Sequence, residues 1–250
     1  MAADLLAQAR LSRADAVDEL ARRWQPGQHL TCLGPTGRGK STLLGQVLPR
    51  TVHSRVVICC PKGADPAYRR LGRATMTWPP RRRMSDTMRE VYAGTPDPDG
   101  RQVWRIELPM RKVEDFDRLA ALYRAVLSDA LARPETPKDS LLVLLDDSRL
   151  ISEGRHMNLG GLVTANLMIG RSKGVSIVNN YQAPRFVPRE GLDQVSHLLI
   201  WRNRDTDVAK RLAEVGDVDP ALTLAILRRL DYHEALWIDA IHDELFIVGQ

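Results

Sequence analysis

Apolar and polar positions along this chain repeat with two different periods. Residues 3–24 bring Leu5, Leu6, Ala9, Val17, Leu20 and Trp24 close to one face, which predicts an amphipathic helix. "QPGQ" (25–28) breaks it. "HLTCLG" (29–34) predicts a short apolar strand, and "KSTLLGQVL" (40–48) a helix ended by Pro49. "RVVICCP" (55–61) predicts a second strand closed by proline, and "RQVWRIELP" (101–109) alternates as a third. Residues 114–133 carry the clearest helical period. Phe116, Leu119, Ala120, Tyr123, Leu127 and Leu131 share its face, and Glu114 or Asp115 suits its first turn.

In "LLVLLDD" (141–147) a run of consecutive apolar residues precedes two acids, and such a run predicts a strand covered on both faces, as in a parallel sheet. Residues 148–173 predict one further helix. "GVSIVNNYQ" (174–182) and "VSHLLIWR" (195–202) predict two more strands. Short helices follow over 205–216 and 219–230, each with an Asp or Thr suited to capping. "YHEALWID" and "ELFIVGQ" predict a closing hairpin. Residues 62–100, with "TWPPRRRM" and "AGTPDPDG", are turn-rich and predict surface loops. Strands alternating with helices predict an α/β domain on a mostly parallel sheet. The division expected is an N-terminal helix over 1–27 and one domain over 28–250.

Composition is ordinary for a globular chain of 250 residues, at 44% hydrophobic and 27% charged. No apolar run approaches the roughly 18–20 residues that cross a bilayer. The N-terminal stretch is charged throughout and has no signal-peptide centre, so a cytoplasmic protein without membrane contact is expected. The net charge is +5, and only six of the 36 basic residues are lysine. Arginine matches phosphate geometry, so this bias admits a polyanion partner; a GC-rich genome gives the same bias. Cys32, Cys59 and Cys60 lie in apolar runs. Adjacent strand residues face opposite ways, so these are expected to be small core residues and not ligands.

The chemistry concentrates in "LGPTGRGKST" (33–42). Gly34-Pro35-Thr36-Gly37-Arg38-Gly39-Lys40-Ser41 satisfies G-x-x-x-x-G-K-[ST], with Thr42 following, between a predicted strand and a predicted helix. Glycines let the backbone turn its N–H groups onto phosphate oxygens. Lys40 supplies a point charge for the β- and γ-phosphates, Ser41 a hydroxyl for Mg²⁺, and the helix its positive dipole end. ATP and Mg²⁺ are therefore the expected ligands. Asp146 ends its strand where such sites hold the metal. Asp147 follows at a place where a base polarises an attacking water, or where a carboxylate caps the next helix; the sequence leaves both open.

These residues, together with "GRSKGVSIVNNYQAPRFVP" (170–188), resemble the FtsK–HerA superfamily of P-loop motor ATPases, near the packaging ATPases of small-tailed phages. The likeness covers about 28–215 and rests on the phosphate loop, the strand ending in two acids, and an Arg-x-x-Gly turn, strand and Gln-x-Pro carried here by Arg171, Gly174, 175–181 and Gln182-Ala183-Pro184. It implies a P-loop NTPase fold of the RecA/ASCE-like type, with Gln182 on a strand between those of the phosphate loop and Asp146, sensing the γ-phosphate. It implies that Arg171 serves a neighbouring subunit's site as an arginine finger, with Arg155 and Arg202 as rivals. The superfamily usually has Asp-Glu where this chain has Asp146-Asp147. The shorter second acid puts the base in question, and Glu153 is the alternative. It further implies a homomeric ring, pentamer or hexamer, that moves double-stranded DNA. Genome packaging at a capsid portal is favoured because the chain has neither a membrane anchor nor an accessory domain. DNA pumping in segregation or conjugation is the alternative.

Other classes are less well served. A guanine-specific Asn-Lys-x-Asp is missing, its nearest string being "RNRDTD" (202–207), and there is no transporter signature. A P-loop small-molecule kinase would need an arginine-bearing lid, which "WPPRRRM" (78–84) could supply. In a DNA motor Arg81, Arg82 and Arg83 would instead touch phosphates without reading sequence, or stand solvated. A slow nucleotide-dependent assembly switch is a third reading, kept open by Asp147.

Overall fold

A computed structural model describes residues 10–61, 65–76, 102–108, 112–135, 139–155, 157–202 and 219–249. Arg81, Arg82 and Arg83 and the helix expected over 205–216 lie outside them. The described chain forms a ten-stranded sheet flanked by helices. In chain order its strands are β1 (Arg10–Leu11), β2 (His29–Leu33), β3 (Arg55–Cys59), β4 (Arg73–Thr75), β5 (Gln102–Ile106), β6 (Leu141–Leu145), β7 (Val175–Tyr181), β8 (Val195–Trp201), β9 (Ala235–Asp239) and β10 (Glu244–Val248). The helices are α1 (Arg13–Arg23), α2 (Lys40–Val47), α3 (Glu114–Leu131), α4 (Ser148–Glu153), α5 (Gly160–Ile169), α6 (Glu190–Asp193) and α7 (Pro220–Arg229).

Across the sheet the order is β1-β10-β9-β8-β2-β7-β6-β3-β5-β4. Every described pairing is parallel except those of β9, which runs against both β8 and β10. The closing hairpin is therefore present as expected, and it adds an antiparallel margin to a parallel sheet. The strand carrying "NNYQ" lies between the phosphate-loop strand and the Asp146 strand, Leu33 being level with Tyr181 on one side and Leu145 with Asn179 on the other. This is an α/β P-loop sheet with a C-terminal hairpin.

Alternation places the core. On β3, Val56 and Ile58 join a layer with Leu20 and Trp24 of the N-terminal helix region and Leu43 and Leu44 of α2. Val57 and Cys59 join the opposite layer, with Leu119, Tyr123 and Leu127 of α3 and Val163 and Leu167 of α5. A strand buried on both faces cannot alternate with polar residues, and the apolar runs of the sequence reflect that. The first helix is part of the first layer: Ala16, Val17, Leu20, Ala21 and Trp24 are buried. Trp24 also donates its indole N–H to the Gln28 carbonyl at 2.9 Å.

Three local expectations differ from the structure. Residues 10–11 form a strand paired with β10, where a helix was expected. The segment 148–173 holds two helices and a 3₁₀ turn (Arg171–Lys173), not one helix. Gly154 stops α4 with its N–H bonded to the Leu150 carbonyl at 3.1 Å, and α5 begins only at Gly160. Arg73–Thr75 forms an edge strand inside a stretch read as loop; three residues carry too little periodicity to be seen. By contrast α7 starts as its sequence dictates, with Asp219 accepting from the Ala221 N–H at 2.9 Å and Pro220 at its first position.

Candidate active site

The phosphate loop leaves β2 at the carboxyl edge of the parallel strands. Gly34 donates its N–H to the Tyr181 carbonyl at 3.1 Å, which ties the start of the loop to β7. Gly37 and Gly39 have φ of 80° and 96°, a region that side chains with a Cβ enter only under strain. No side chain caps α2 at Gly39, so the positive end of the helix is what an anion at this loop meets. The Lys40 ammonium is buried inside the loop, donating to the Gly34 and Pro35 carbonyls at 2.6 and 2.9 Å. Arg38 turns outward, lies 3.8 Å above the Tyr232 ring, and donates to the Tyr232 carbonyl.

The acidic end of the site is built from three strands. Asp146 continues the β3–β6 ladder by one residue, its N–H donating to the Cys59 carbonyl at 2.9 Å. Asp146 is 6% exposed, and its carboxylate is held from two sides. Asn180 donates its amide to Oδ1 at 2.6 Å, and the Cys60 thiol points at Oδ2 at 3.3 Å. Ser148 accepts from the Asn180 N–H at 2.9 Å and donates to the Leu145 carbonyl at 2.8 Å, which locks β7 to the turn after β6. Burial pushes the Tyr68 hydroxyl well above its ordinary pKa, and the Asp146 charge beside it adds to that.

Asp147 sits in the left-handed region, with φ 61° and ψ 57°. Aspartate tolerates that conformation better than most residues, yet it remains a strained one. Its side chain does not cap α4. Its Oδ2 instead faces the Gln182 amide at 3.5 Å. In this conformation its short carboxylate lines the cleft beside Gln182.

Phosphate loop and acids line one cleft of about 620 Å³. Thr36, Gly37, Gly39, Lys40, Ser41 and Thr42 form one wall, and Asp146, Asp147, Asn180 and Gln182 face them. Asp65, Arg13 and His233 complete it. A hydroxyl and a carboxylate across a phosphate loop are hard oxygen donors of the kind magnesium takes, with the remaining positions left to phosphate and water. Sequence reading missed five residues of this environment. Asn180 was visible only as part of the polar "NNYQ". Cys60, read as a small core residue, is indeed buried and on the face opposite Cys59, but it also touches Asp146. Arg13, Asp65 and His233 carried no local signal, because they arrive from distant segments. Glu153 lies in an adjoining cleft of about 370 Å³, which shares only Asp147 and Gln182 with the first, and it faces Arg149 at 3.8 Å.

Arg171 is not in the cleft. It opens the turn before β7, at the amino edge of the parallel strands, and is exposed there. The seven residues of β7 span about 20 Å, which separates Arg171 from the phosphate loop of its own chain. Arg155 is exposed in the turn between α4 and α5, and Arg202 is half-buried just past β8.

No family model matches the sequence, and no curated protein matches it. Solved structures do match in fold. The DNA-packaging ATPase B204 of Sulfolobus turreted icosahedral virus superposes with a TM-score of 0.57 at 12% identity, over 90% of this chain and 98% of that one. Its counterpart from Sulfolobus turreted icosahedral virus 2, a genome-packaging NTPase in complex with ATP-gammaS, gives 0.54 at 11% identity over the same shares. The cytoplasmic domain of the type VII secretion ATPase EccC of Thermomonospora curvata gives 0.54 at 16% identity, over 88% of this chain and 25% of that one. At such identities the likeness is one of fold: the present chain shares with these ATPases a mostly parallel α/β sheet flanked by helices.

Proposed function

We propose that the protein is an ATP-hydrolysing motor that assembles as a homomeric ring of five or six subunits and moves double-stranded DNA. Genome packaging at a capsid portal, in a host cytoplasm, is its specific role. One observation carries this reading. A glycine loop with a buried lysine and a strand-end acid clamped by Asn180 share a single cleft, while the arginine that the superfamily motif assigns to catalysis sits at the opposite edge of the sheet. A site so divided is completed by a neighbour. The fold it shares with DNA-packaging ATPases supports the choice of cargo.

In this reading Gly37, Gly39 and the first amides of α2 cradle the phosphates and Lys40 neutralises the β- and γ-phosphates; Ser41 and Asp146 would hold Mg²⁺, which would supply charge screening for phosphoryl transfer. Asp147 orients the attacking water and Gln182 reads the γ-phosphate. The adjoining cleft beside Glu153 gives a neighbour's guanidinium an acidic approach to Asp147 and Gln182.

ATP turnover with and without duplex DNA tests the proposal. Turnover is expected to rise with duplex DNA and to be lost in Lys40→Ala, with affinity for ATP reduced at least tenfold, about 1.4 kcal/mol. Phosphate release that ignores DNA and follows a small metabolite would identify a kinase instead. A second expectation separates the strain at residue 147 from its chemistry. Asp147→Gly relieves the left-handed backbone but adds chain entropy, so its stability stays within about 1 kcal/mol of wild type. Its turnover should fall by about 10²–10⁴, the usual weight of a positioned base. Thermal melting and steady-state kinetics read the two effects separately.

A further inference from the structure

Arg13 occupies a place that its surroundings do not explain. It opens α1, far from the phosphate loop in sequence, yet it lines the nucleotide cleft. Its Nη1 and Nη2 lie 3.9 and 4.0 Å from where a Cβ on Gly39 would stand, which puts the guanidinium against the loop just before Lys40. Its Nε donates to Gln46 of α2 at 2.8 Å, which fixes the plane of the group. Its Nη2 is buried and has no hydrogen-bond partner among the described residues. No carboxylate pairs with it among the described residues, and burial, uncompensated, lowers its pKa. A half-buried cation is thus held against Gly39, at the positive end of a helix.

The fold holds it there deliberately. Strand β1 pairs with β10 immediately before Arg13, with Arg10 level with Ile247 and Leu11 with Val248. Arg10 is ion-paired with Glu234, and Glu234 accepts from the Asp231 N–H at 2.9 Å, shaping the turn that carries His233. His233 Nδ1 lies 3.8 Å from the same projected Gly39 Cβ. Two segments from opposite ends of the described chain therefore converge on Gly39.

A guanidinium with no carboxylate partner and an open, buried donor, partly desolvated at the positive end of a helix, costs energy unless an anion arrives. We propose that Arg13 is a second phosphate-binding side chain, delivered in cis by the N-terminal helix, which grips the polyphosphate tail of the nucleotide beside Gly39. This rests on the nucleotide-binding reading above. It makes the N-terminal segment part of the site and not an appendage of it.

The test measures binding of ATP and of inorganic tripolyphosphate, which has no base or ribose, to wild type, Arg13→Gln and Arg13→Lys, with apo melting temperatures alongside. Both ligands should bind Arg13→Gln about tenfold more weakly, by the same factor, and Arg13→Lys should recover part of the loss. Unchanged affinity in Arg13→Gln overturns the inference. So does a loss for ATP that tripolyphosphate does not share, since Arg13 would then touch base or sugar. A loss that tracks a lowered apo melting temperature and is not rescued by lysine assigns a structural role and overturns it as well. If folded wild type binds neither ligand, the nucleotide-site reading itself fails, an outcome distinct from a wild type that binds and a variant that binds equally.

Discussion

Arg171→Ala is expected to lower ATP turnover by about 10³–10⁵, the range over which a trans-acting arginine stabilises phosphoryl transfer, while ATP affinity stays within about twofold. The placement explains the split. Arg171 stands at the amino edge of the sheet, a strand's length from the cleft of its own chain, so it contributes nothing to binding there. Its backbone is well anchored. Gly27 packs against it so closely that a Cβ would fall 2.7 Å from the Arg171 carbonyl, and Gly27 in turn donates its N–H to Ser176 at 3.0 Å. Mixing decides the geometry. Lys40→Ala subunits carry a good arginine and a dead cleft, and Arg171→Ala subunits the reverse. A mixture should regain turnover that neither has alone. A mixture as inactive as the separate variants would remove Arg171 from a neighbour's site and return attention to Arg155 and Arg202.

The second large effect concerns stability in acid. Burial holds His29 at a pKa of about 4, and the nearby Arg171 charge acts in the same direction. Its hydrogen bonds show why the neutral form is required. Nε2–H donates to the Leu167 carbonyl at 3.0 Å, and Nδ1 accepts from the Ile177 N–H at 3.0 Å, so a proton on Nδ1 would meet another N–H. Burial also lowers His197 to about 4, against the attraction of Asp239, which already serves Arg23 and His242. An unfolded histidine titrates near 6.5, so between about pH 6.5 and 4 the unfolded chain binds more protons than the folded one. Stability from these groups is present above pH 6.5 and is lost as pH falls towards 4. Each contributes on the order of 3 kcal/mol, a large share of the roughly 5–15 kcal/mol of a typical domain. Melting temperature should therefore drop steeply between pH 7 and 4.5, above the range where carboxylates such as Glu19, held at about 2 by Arg22, begin to matter. Two histidine ring signals should fail to titrate in the folded protein down to pH 5. A melting temperature flat over that interval would contradict both assignments.

Much of this molecule was legible before any coordinates. The phosphate loop could be read because its constraints are local: positive φ at Gly37 and Gly39, a lysine one step on, and a helix that must begin there. The buried strands could be read because burial on both faces removes polar alternation, as in Leu141–Leu145. Asp146 and Gln182 could be placed because a strand's end in a parallel sheet is where its loops meet a ligand. Two of the misreadings turn on contacts beyond a local window. Arg10–Leu11 is a strand only because β10 offers it an edge, and the break between α4 and α5 depends on Gly154 and on packing beneath it.

Identity and order of residues along the chain were enough to specify a glycine loop between strand and helix, its facing acid, and the alternating α/β plan, since each depends on neighbours within a few positions. Convergence was not readable in that way. That Cys60 and Asn180 clamp Asp146, that Asp147 turns left-handed towards Gln182 and away from its helix, and that Arg13 and His233 meet over Gly39 are consequences of which strands lie side by side. Strand order is set by the summed packing of two helical layers against one sheet, a property of the whole fold that no window of sequence contains.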